Sequence, residues 1–118
     1  MTSLTAIIGK RGEDAATEWL RKRGFYIVER NWRAGRYEID IIAEHYDTLH
    51  FVEVKTRKAD SLLSPYASID AAKRRSIRRS SAMYRATHHI RLKVQYDMIA
   101  VIIHPDDHLE IEYVENMM

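Results

Sequence analysis

"EIDIIAEHYDTLHFVEVKTR", residues 38–57, contains two apolar runs joined by the polar segment "EHYD". β-Branched and aromatic residues on either side of a short polar turn predict a β-hairpin. Both runs also carry charge: Asp40 stands among isoleucines, and Glu53 and Lys55 interrupt the second run. A charge inside a core strand costs free energy unless it is paired or binds a metal. The hairpin therefore predicts either a lattice of ion pairs or a chemical site.

The register of the hairpin determines which charges meet. Strand residues two apart point to the same face of a sheet. A turn centred between residues 46 and 47 gives the following opposed pairs: Asp40 with Glu53, Glu38 with Lys55, and Ile42 with Phe51. Opposed side chains have Cβ atoms about 4.5–5.5 Å apart, so two carboxylates lie within reach of one divalent cation. Two such carboxylates repel each other unless a proton, a cation or a metal lies between them.

Mg²⁺ suits this oxygen-rich arrangement, because it binds through one or two carboxylates and keeps several waters. A metal there activates water and neutralises charge on a phosphoryl group. The alternative is a cross-strand lattice of ion pairs on a solvated sheet face. Lys73 favours the site, because it lies on the inward stripe of a predicted helix and needs an acidic partner.

The rest of the chain predicts the order α-β-β-β-α-β-β in one α/β domain, residues 1–118, with a mixed central sheet flanked by helices. Residues 94–103 are almost continuously apolar, which predicts a strand buried on both faces, and residues 109–114 alternate like an edge strand. Gly9 and Gly12 in the first helix predict close packing of its backbone. The full set of predicted elements is helix 5–23, strands 25–33, 37–43 and 49–56, helix 66–88, and strands 94–103 and 109–114.

Composition narrows the class of protein. The chain has no cysteine, which excludes disulfides and thiolate metal sites. It has no apolar run of roughly 18 residues and no signal-peptide pattern, so we expect a cytoplasmic protein that does not enter the membrane. Eleven Lys and Arg against two Asp give residues 55–93 a charge of +9. This segment is either a polyanion-binding face or a solvated helix face, and charge alone favours neither.

Other polar residues give weaker signals. The six histidines show no metal-ligand spacing, and we expect them at the surface or at strand ends. Asp97 lies in an apolar run, where a structural hydrogen-bond acceptor is the expected role. Glu13 lies near the inward stripe of the first helix. It is either a third carboxylate of the site or an acid that favours the first turn of a helix beginning near Gly12.

The ordered set Glu13, Glu38-Ile39-Asp40 and Glu53-Val54-Lys55 resembles the PD-(D/E)XK nuclease superfamily. More narrowly, "GKRGEDAATEWLRKRGFYIVERNWR", "YEIDIIAE", "FVEVKTR", "AAKRRSI" and "YDMIAV" are similar to the YraN-type family of endonuclease-like bacterial proteins. The resemblance spans about residues 9–103 and implies a restriction endonuclease-like αβββαβ core, similar to that of the Holliday-junction resolvases.

Position by position, the resemblance implies that Asp40 and Glu53 bind Mg²⁺ or Mn²⁺ together with the Val54 carbonyl. It implies that Lys55 assists the attacking water and that Glu13 binds a second metal or a metal-bound water. One departure concerns the substrate: Gln95-Tyr96-Asp97 stands where the family usually has Arg-Phe-Asp, so one basic residue is missing.

The predicted function is metal-dependent hydrolysis of phosphodiester bonds in DNA, including branched or flapped DNA. The alternatives are a nucleic-acid-binding protein that does not cleave, with RNA as another ligand of the basic helix, and a structural module held by ion pairs. A homodimer would give a symmetric branched substrate two matched sites. We expect the following residues to contact nucleic acid: Arg57, Lys58, Lys73, Arg74, Arg75, Arg78, Arg79 and Arg91.

Overall fold

The computed structural model describes residues 3–60 and 70–117. Its elements are α1 (Leu4–Lys22), β1 (Tyr26–Ala34), β2 (Tyr37–His45), β3 (Thr48–Lys58), α2 (Ala71–His88), β4 (Lys93–Ile103) and β5 (Leu109–Val114). The predicted α/β class and the predicted order of elements are confirmed, and the order contains the αβββαβ core. The first residues of the second predicted helix, 66–69, lie outside the described residues.

The strands form one mixed sheet in the order β1-β2-β3-β4-β5. All neighbours are antiparallel except β3 and β4, which are parallel. A parallel pair needs a long crossover, and α2 lies in that connection. Residues 97–101 of β4 are buried, as its continuous apolar run predicts. The alternating strand β5 forms one edge of the sheet, also as predicted.

The two helices cover opposite faces of the sheet. Ala16 and Leu20 of α1 are fully buried in a cluster with residues of β2, β3 and β4. Tyr84 of α2 is buried in a second cluster with other residues of β2 and β3. The buried face of each helix also includes one polar residue, Thr17 in α1 and Ser81 in α2. Each hydroxyl donates a hydrogen bond to a backbone carbonyl of its own helix, so it can be buried without losing a hydrogen-bond partner.

The sheet divides at one end into two prongs, and we call this division the fork. β2 and β3 pair from His45–Thr48 to Ile41–Val52. Beyond that point β2 pairs only with β1, as far as the turn, and β3 pairs only with β4. The predicted hairpin register is confirmed along the paired part, where Ile42 opposes Phe51.

The alternation of side chains breaks beside the fork. Ile39 and Ile42 both belong to the cluster under α2, whereas Ile41 belongs to the cluster under α1. Strict alternation would place Ile39 with Ile41, so the period of two fails at the intervening Asp40. On β1, Asn31 has a φ of 52°, in the left-handed region, and lies opposite this break. The sequence of β2 does not indicate this break in alternation, and the sequence of β1 indicates it only by the presence of an asparagine.

Gly12 confirms the prediction of close packing, and Gly9 does not. A Cβ at Gly12 would stand 1.8 Å from Thr56 Oγ1, whereas a Cβ at Gly9 would have no atom within 4 Å. Gly9 instead forms part of the wall of a cavity. Among the described helices, neither has the length and apolar character that crossing a bilayer requires.

Candidate functional site at the fork of the sheet

Four elements converge on a polar cavity of about 290 Å³ at the fork. The cavity opens where β2 and β3 no longer pair, so side chains from both faces of the sheet reach it. It brings together all five residues predicted for catalysis or metal binding. Its lining residues are Gly9, Glu13, Glu38, Asp40, Glu53, Val54, Lys55, Thr56, Arg57 and Lys73.

Asp40 occupies the point where the two strands separate. Its Oδ2 accepts a hydrogen bond of 2.9 Å from the Val54 backbone N–H. The predicted backbone pairing of Asp40 with Glu53 is absent from the ladder, which ends one pair earlier, at Ile41–Val52. The Asp40 carboxylate thus takes the place of a backbone acceptor, and the fork positions it.

Asp40 and Glu53 form a carboxylate pair that cannot easily carry two charges. Burial and then the charge of Glu53 raise the pKa of Asp40 to about 7, although the Val54 N–H and the Lys73 ammonium favour the ionised form. A hydrogen bond between the two side chains contributes to the same rise, and it requires a proton on one of them. A divalent cation can replace that proton, because it interacts with both carboxylates in their ionised form.

Two lysines neutralise Glu53, which is 7 % exposed. Lys73 Nζ lies 3.0 Å from Glu53 Oε1, and Lys55 Nζ lies 3.8 Å from the same oxygen. Burial alone would lower the pKa of Lys73, but its contact with Glu53 and the charge of Asp40 raise it. The acidic partner that the sequence predicts for Lys73 is therefore Glu53.

Glu13 supplies a third carboxylate from α1. Its Oε1 is buried and has no hydrogen-bond partner, and the nearest cation is Arg30 Nη2 at 3.9 Å. Burial and the charge of Asp40 raise the pKa of Glu13, while Arg30 and a hydrogen bond with Asn31 oppose the rise. Of the two roles considered for Glu13, the geometry favours a residue of the site, because its side chain lines the cavity.

The residues present fit a divalent cation that has few protein ligands. Within residues 3–60 and 70–117, no three His, Asp or Glu side chains are close enough together to hold a metal by themselves. Mg²⁺ requires less, because one or two carboxylates and several waters complete its shell. Asp40 and Glu53 provide the carboxylates, and Glu13 Oε1 is a free acceptor for a metal-bound water. The donor set is all oxygen, as Mg²⁺ and Mn²⁺ prefer.

The residues predicted to contact nucleic acid do not form one patch. Arg57 and Lys73 line the cavity, and the buried Arg57 Nε has no hydrogen-bond partner. Arg75 and Arg79 line a separate pocket beside it. Lys58 is exposed near His104. Arg74 and Arg78 are exposed on α2, and Arg91 follows the far end of this 18-residue helix, which is about 27 Å long.

Asp97 and His50 form a buried polar pair, for which one sequence prediction is confirmed and one is wrong. Asp97 is confirmed as a buried acceptor, which receives hydrogen bonds from Gln95, Tyr113 and the Asn116 N–H and contacts His50 Nδ1 at 2.6 Å. The expectation that all histidines lie at the surface or at strand ends is wrong for His50, which is 4 % exposed. Its side chain is paired within the core, and histidine spacing along the chain does not reveal such pairing.

Sequence reasoning missed Arg30, which bridges the site to α1. Its guanidinium lies 2.8 Å from Asp14 and 3.9 Å from Glu13, so it fixes the helix acid beside the cavity. Uniform alternation along β1 would place Arg30 and Trp32 on one face. Trp32 instead packs against Tyr84 of α2, while Arg30 reaches α1, because the strand changes faces at Asn31.

Fold and cavity together define an α/β protein with an acidic, lysine-bearing site in a divided mixed sheet. The chain belongs to the uncharacterised protein family UPF0102, whose family model matches residues 12–101. A UPF0102 protein of Porphyromonas gingivalis is 41% identical over 109 residues, which cover 92% of this chain and 81% of the relative. A UPF0102 protein of Lawsonia intracellularis is 40% identical over 111 residues, covering 93% and 83%. One from Sulfurovum is 37% identical over 118 residues, covering 99% and 98%.

Proposed function

We propose that this protein is a metal-dependent nuclease that hydrolyses phosphodiester bonds in DNA. The observation that carries the proposal is the shared cavity of Asp40 and Glu53, two carboxylates that need a proton or a cation between them. The cavity also contains two ammonium groups and one guanidinium, which are the groups that a phosphate diester attracts. The resemblance to PD-(D/E)XK nucleases of the YraN type rests on the same acidic residues and Lys55.

In this mechanism Asp40, Glu53 and the Val54 carbonyl would hold Mg²⁺ or Mn²⁺. The metal, when bound, supplies charge neutralisation at the phosphoryl group and activation of water. Lys55 orients the attacking water or stabilises the charge that develops on the phosphate. Glu13 accepts a hydrogen bond from a water at the α1 side of the cavity, and Arg57 contacts a non-bridging phosphate oxygen.

The substrate class follows from the charge of the surrounding surface. The exposed arginines of α2 contact phosphates without reading bases, so binding is either selective for DNA structure or only weakly specific. Branched or flapped DNA is the expected substrate. RNA is the competing ligand, and a homodimer would place two cavities on one symmetric junction.

A second candidate function is nucleic-acid binding without cleavage. The ion pair of 3.0 Å between Lys73 and Glu53 favours it, because an ammonium already neutralises one of the two metal-binding carboxylates. In that case the arginines bind phosphates while the acidic residues only stabilise the fork.

The test is an assay of wild type and Glu53→Ala with linear, flapped and four-way-junction DNA in Mg²⁺ or Mn²⁺. A matched control is Glu18→Ala, because Glu18 is exposed on α1 and pairs only with Arg21 among the ion pairs described. Cleavage by wild type and Glu18→Ala, but not by Glu53→Ala, supports the nuclease. Equal DNA binding by all three proteins without cleavage supports the second candidate. Cleavage that persists in Glu53→Ala contradicts the proposed site.

A further inference from the structure

A second pocket, of about 260 Å³, lies between the β1–β2 turn and α2. We call it the arginine pocket. Its described lining contains three guanidinium groups, a hydroxyl and a phenol, and no carboxylate. The lining residues are Arg36, Tyr37, Ala72, Arg75, Ser76 and Arg79.

The fold brings these groups together from two separate elements. Arg75 and Arg79 are four residues apart, so they lie on the same side of α2. Arg36 comes from the β1–β2 turn, where Gly35 adopts a positive φ of 61°. The Ser80 hydroxyl accepts a hydrogen bond of 3.2 Å from the Glu38 N–H and thereby fixes this prong of the fork to α2. The pocket is therefore built by tertiary contact and not by a run of basic residues.

The arginine pocket is adjacent to the cavity at the fork. Tyr37 directly precedes Glu38 on β2, and Ala72 directly precedes Lys73 on α2. Glu38 and Lys73 line the cavity, while their neighbours line the arginine pocket. The two pockets therefore adjoin the same stretches of β2 and α2.

The charges in this pocket are uncompensated. Among the described residues, no carboxylate lies within 4.0 Å of a nitrogen of Arg36, Arg75 or Arg79. A third pocket, next to Glu13, is the contrast. It also has three cations, but each has a carboxylate partner: Lys10 with Asp14, Arg30 with Asp14, and Arg33 with Glu38. In the arginine pocket, by contrast, none of the three guanidinium groups has such a partner among the described residues.

We propose that the arginine pocket binds a backbone phosphate of the nucleic-acid strand whose neighbouring phosphodiester lies in the cavity. Guanidinium groups match phosphate oxygens with paired N–H donors, and the Ser76 and Tyr37 hydroxyls provide further donors. Because its donors meet only the phosphate, the pocket positions the strand without reading its bases. The position of the strand relative to the cut rests on the proposed nuclease function, whereas phosphate binding itself does not.

The experiment measures binding apart from cleavage. Fluorescein-labelled 20-nucleotide DNA is titrated in EDTA with wild type, Arg36→Ala, Arg79→Ala and the control Arg85→Ala, at several salt concentrations, by fluorescence anisotropy. Arg85 is exposed on the same helix but does not line the pocket, so its removal subtracts the same charge elsewhere. Circular dichroism confirms that each variant is folded.

Arg36→Ala and Arg79→Ala should each raise Kd about three- to tenfold and reduce the slope of log K against log salt by about one. Arg85→Ala should change both quantities much less. Equal effects of all three substitutions would overturn the proposal, because they would show only the loss of net charge. Absence of DNA binding by wild type would overturn it as well.

Two further arms define the phosphate and the link to cleavage. An effect that is equal with and without a 5′-phosphate supports the proposed backbone phosphate, and an effect confined to 5′-phosphorylated DNA would overturn it in favour of a terminal phosphate. If wild type binds but does not cleave, and Arg36→Ala and Arg79→Ala weaken binding more than Arg85→Ala does, the nuclease proposal fails while the arginine pocket stands. If wild type cleaves and Arg36→Ala binds DNA like Arg85→Ala, only the arginine pocket fails.

Discussion

Asp40 shows how one residue joins the architecture of the sheet to its chemistry. The carboxylate accepts the Val54 N–H at the point where β2 and β3 separate, and burial together with the charge of Glu53 raises its pKa. A neutral residue of the same shape could satisfy the first interaction without the charge. The free energy of folding therefore reports on the charge of Asp40 independently of any catalytic assay.

Asp40→Asn should stabilise the protein at pH 8 and leave its stability almost unchanged near pH 4. The folded state raises the pKa of Asp40 to about 7, so the ionised form is disfavoured and stability falls as pH rises from about 4 through 7. A rise in pKa from about 4 to about 7 corresponds to about 4 kcal/mol of lost stability at pH 8. Because the side chain is partly exposed, we expect Asp40→Asn to recover about 1–3 kcal/mol. Urea denaturation at both pH values measures the difference. A variant less stable than wild type at pH 8 would refute this assignment.

Lys73→Met should increase the affinity of the site for Mn²⁺. The ammonium, 3.0 Å from Glu53, competes with a metal for the same carboxylate. Removing it should lower the Kd of Mn²⁺ about tenfold, equivalent to about 1.4 kcal/mol. Titration calorimetry on the protein without nucleic acid measures this change, and Lys93→Met is the control because Lys93 pairs with the distant, exposed Asp47. Unchanged or weaker Mn²⁺ binding in Lys73→Met would contradict a metal site at Glu53.

At the scale of elements, α1 contains two glycines that play different roles. Gly12→Ala should destabilise the protein by about 1–3 kcal/mol, because the new Cβ would collide with Thr56 Oγ1 and overpacking outweighs the better helix propensity. Gly9→Ala should stabilise it by up to about 1 kcal/mol, because its Cβ would meet no atom. Thermal unfolding of the two variants provides the comparison. Equal shifts in the same direction would show that Thr56 yields to the added methyl group.

The strands and the hairpin register were predictable because their signals are local. A period of two, a short polar turn and a continuous apolar run identified β2, β3 and β4 and paired Ile42 with Phe51. The end of the ladder before Asp40 was not predictable, because it depends on how β1 and β2 turn away from β3. The change of face at Asn31 has the same origin. Neither the end of the ladder nor the change of face alters the hydrophobic pattern enough to be predicted from the sequence.

The residues of the candidate site were more predictable than their arrangement in space. Asp40, Glu53 and Lys55 follow from one hairpin, so pairing alone predicts their proximity. Lys73 and Glu13 join them because two helices pack on opposite faces of the sheet. A single sequence indicates this packing only through the side of the helix on which a residue lies. The arginine pocket was less predictable still, because Arg36 approaches α2 from a turn whose direction the sequence does not determine.

At the scale of the whole molecule, positive and negative charges are concentrated in different segments of the chain. The basic segment 55–93 includes α2, while the last strand and its flanking residues are acidic. The fork lies between the two helices, so an anionic ligand attracted by α2 meets carboxylates at the cavity, where Lys73 lies beside Glu53. A divalent cation there would convert a repulsive site into one that accepts a phosphate.

A second buried acid, Asp97, lies on β4 beside Val52 of β3, and its pKa is shifted in the other direction. Burial alone would raise the pKa of Asp97, but hydrogen bonds with His50, Tyr113, Gln95 and the Asn116 N–H lower it overall. These contacts join β3, β4, β5 and the segment after β5 through one carboxylate. The ionised form of Asp97 therefore stabilises the fold, whereas the ionised form of Asp40 weakens it.

The two acids together predict a maximum of stability in mildly acidic solution. As pH falls below about 4, through the lowered pKa of Asp97, its contribution is lost. As pH rises from about 4 through 7, ionisation of Asp40 opposes folding. Asp97→Asn should cost about 2–4 kcal/mol at pH 6 and much less at pH 3, because it breaks a buried charged network. Asp40→Asn should flatten only the decrease in stability between about pH 4 and 7. Urea denaturation from pH 3 to 9 measures both limbs, and a wild-type maximum above pH 8 would show that ionised Asp40 is stabilised in the fold.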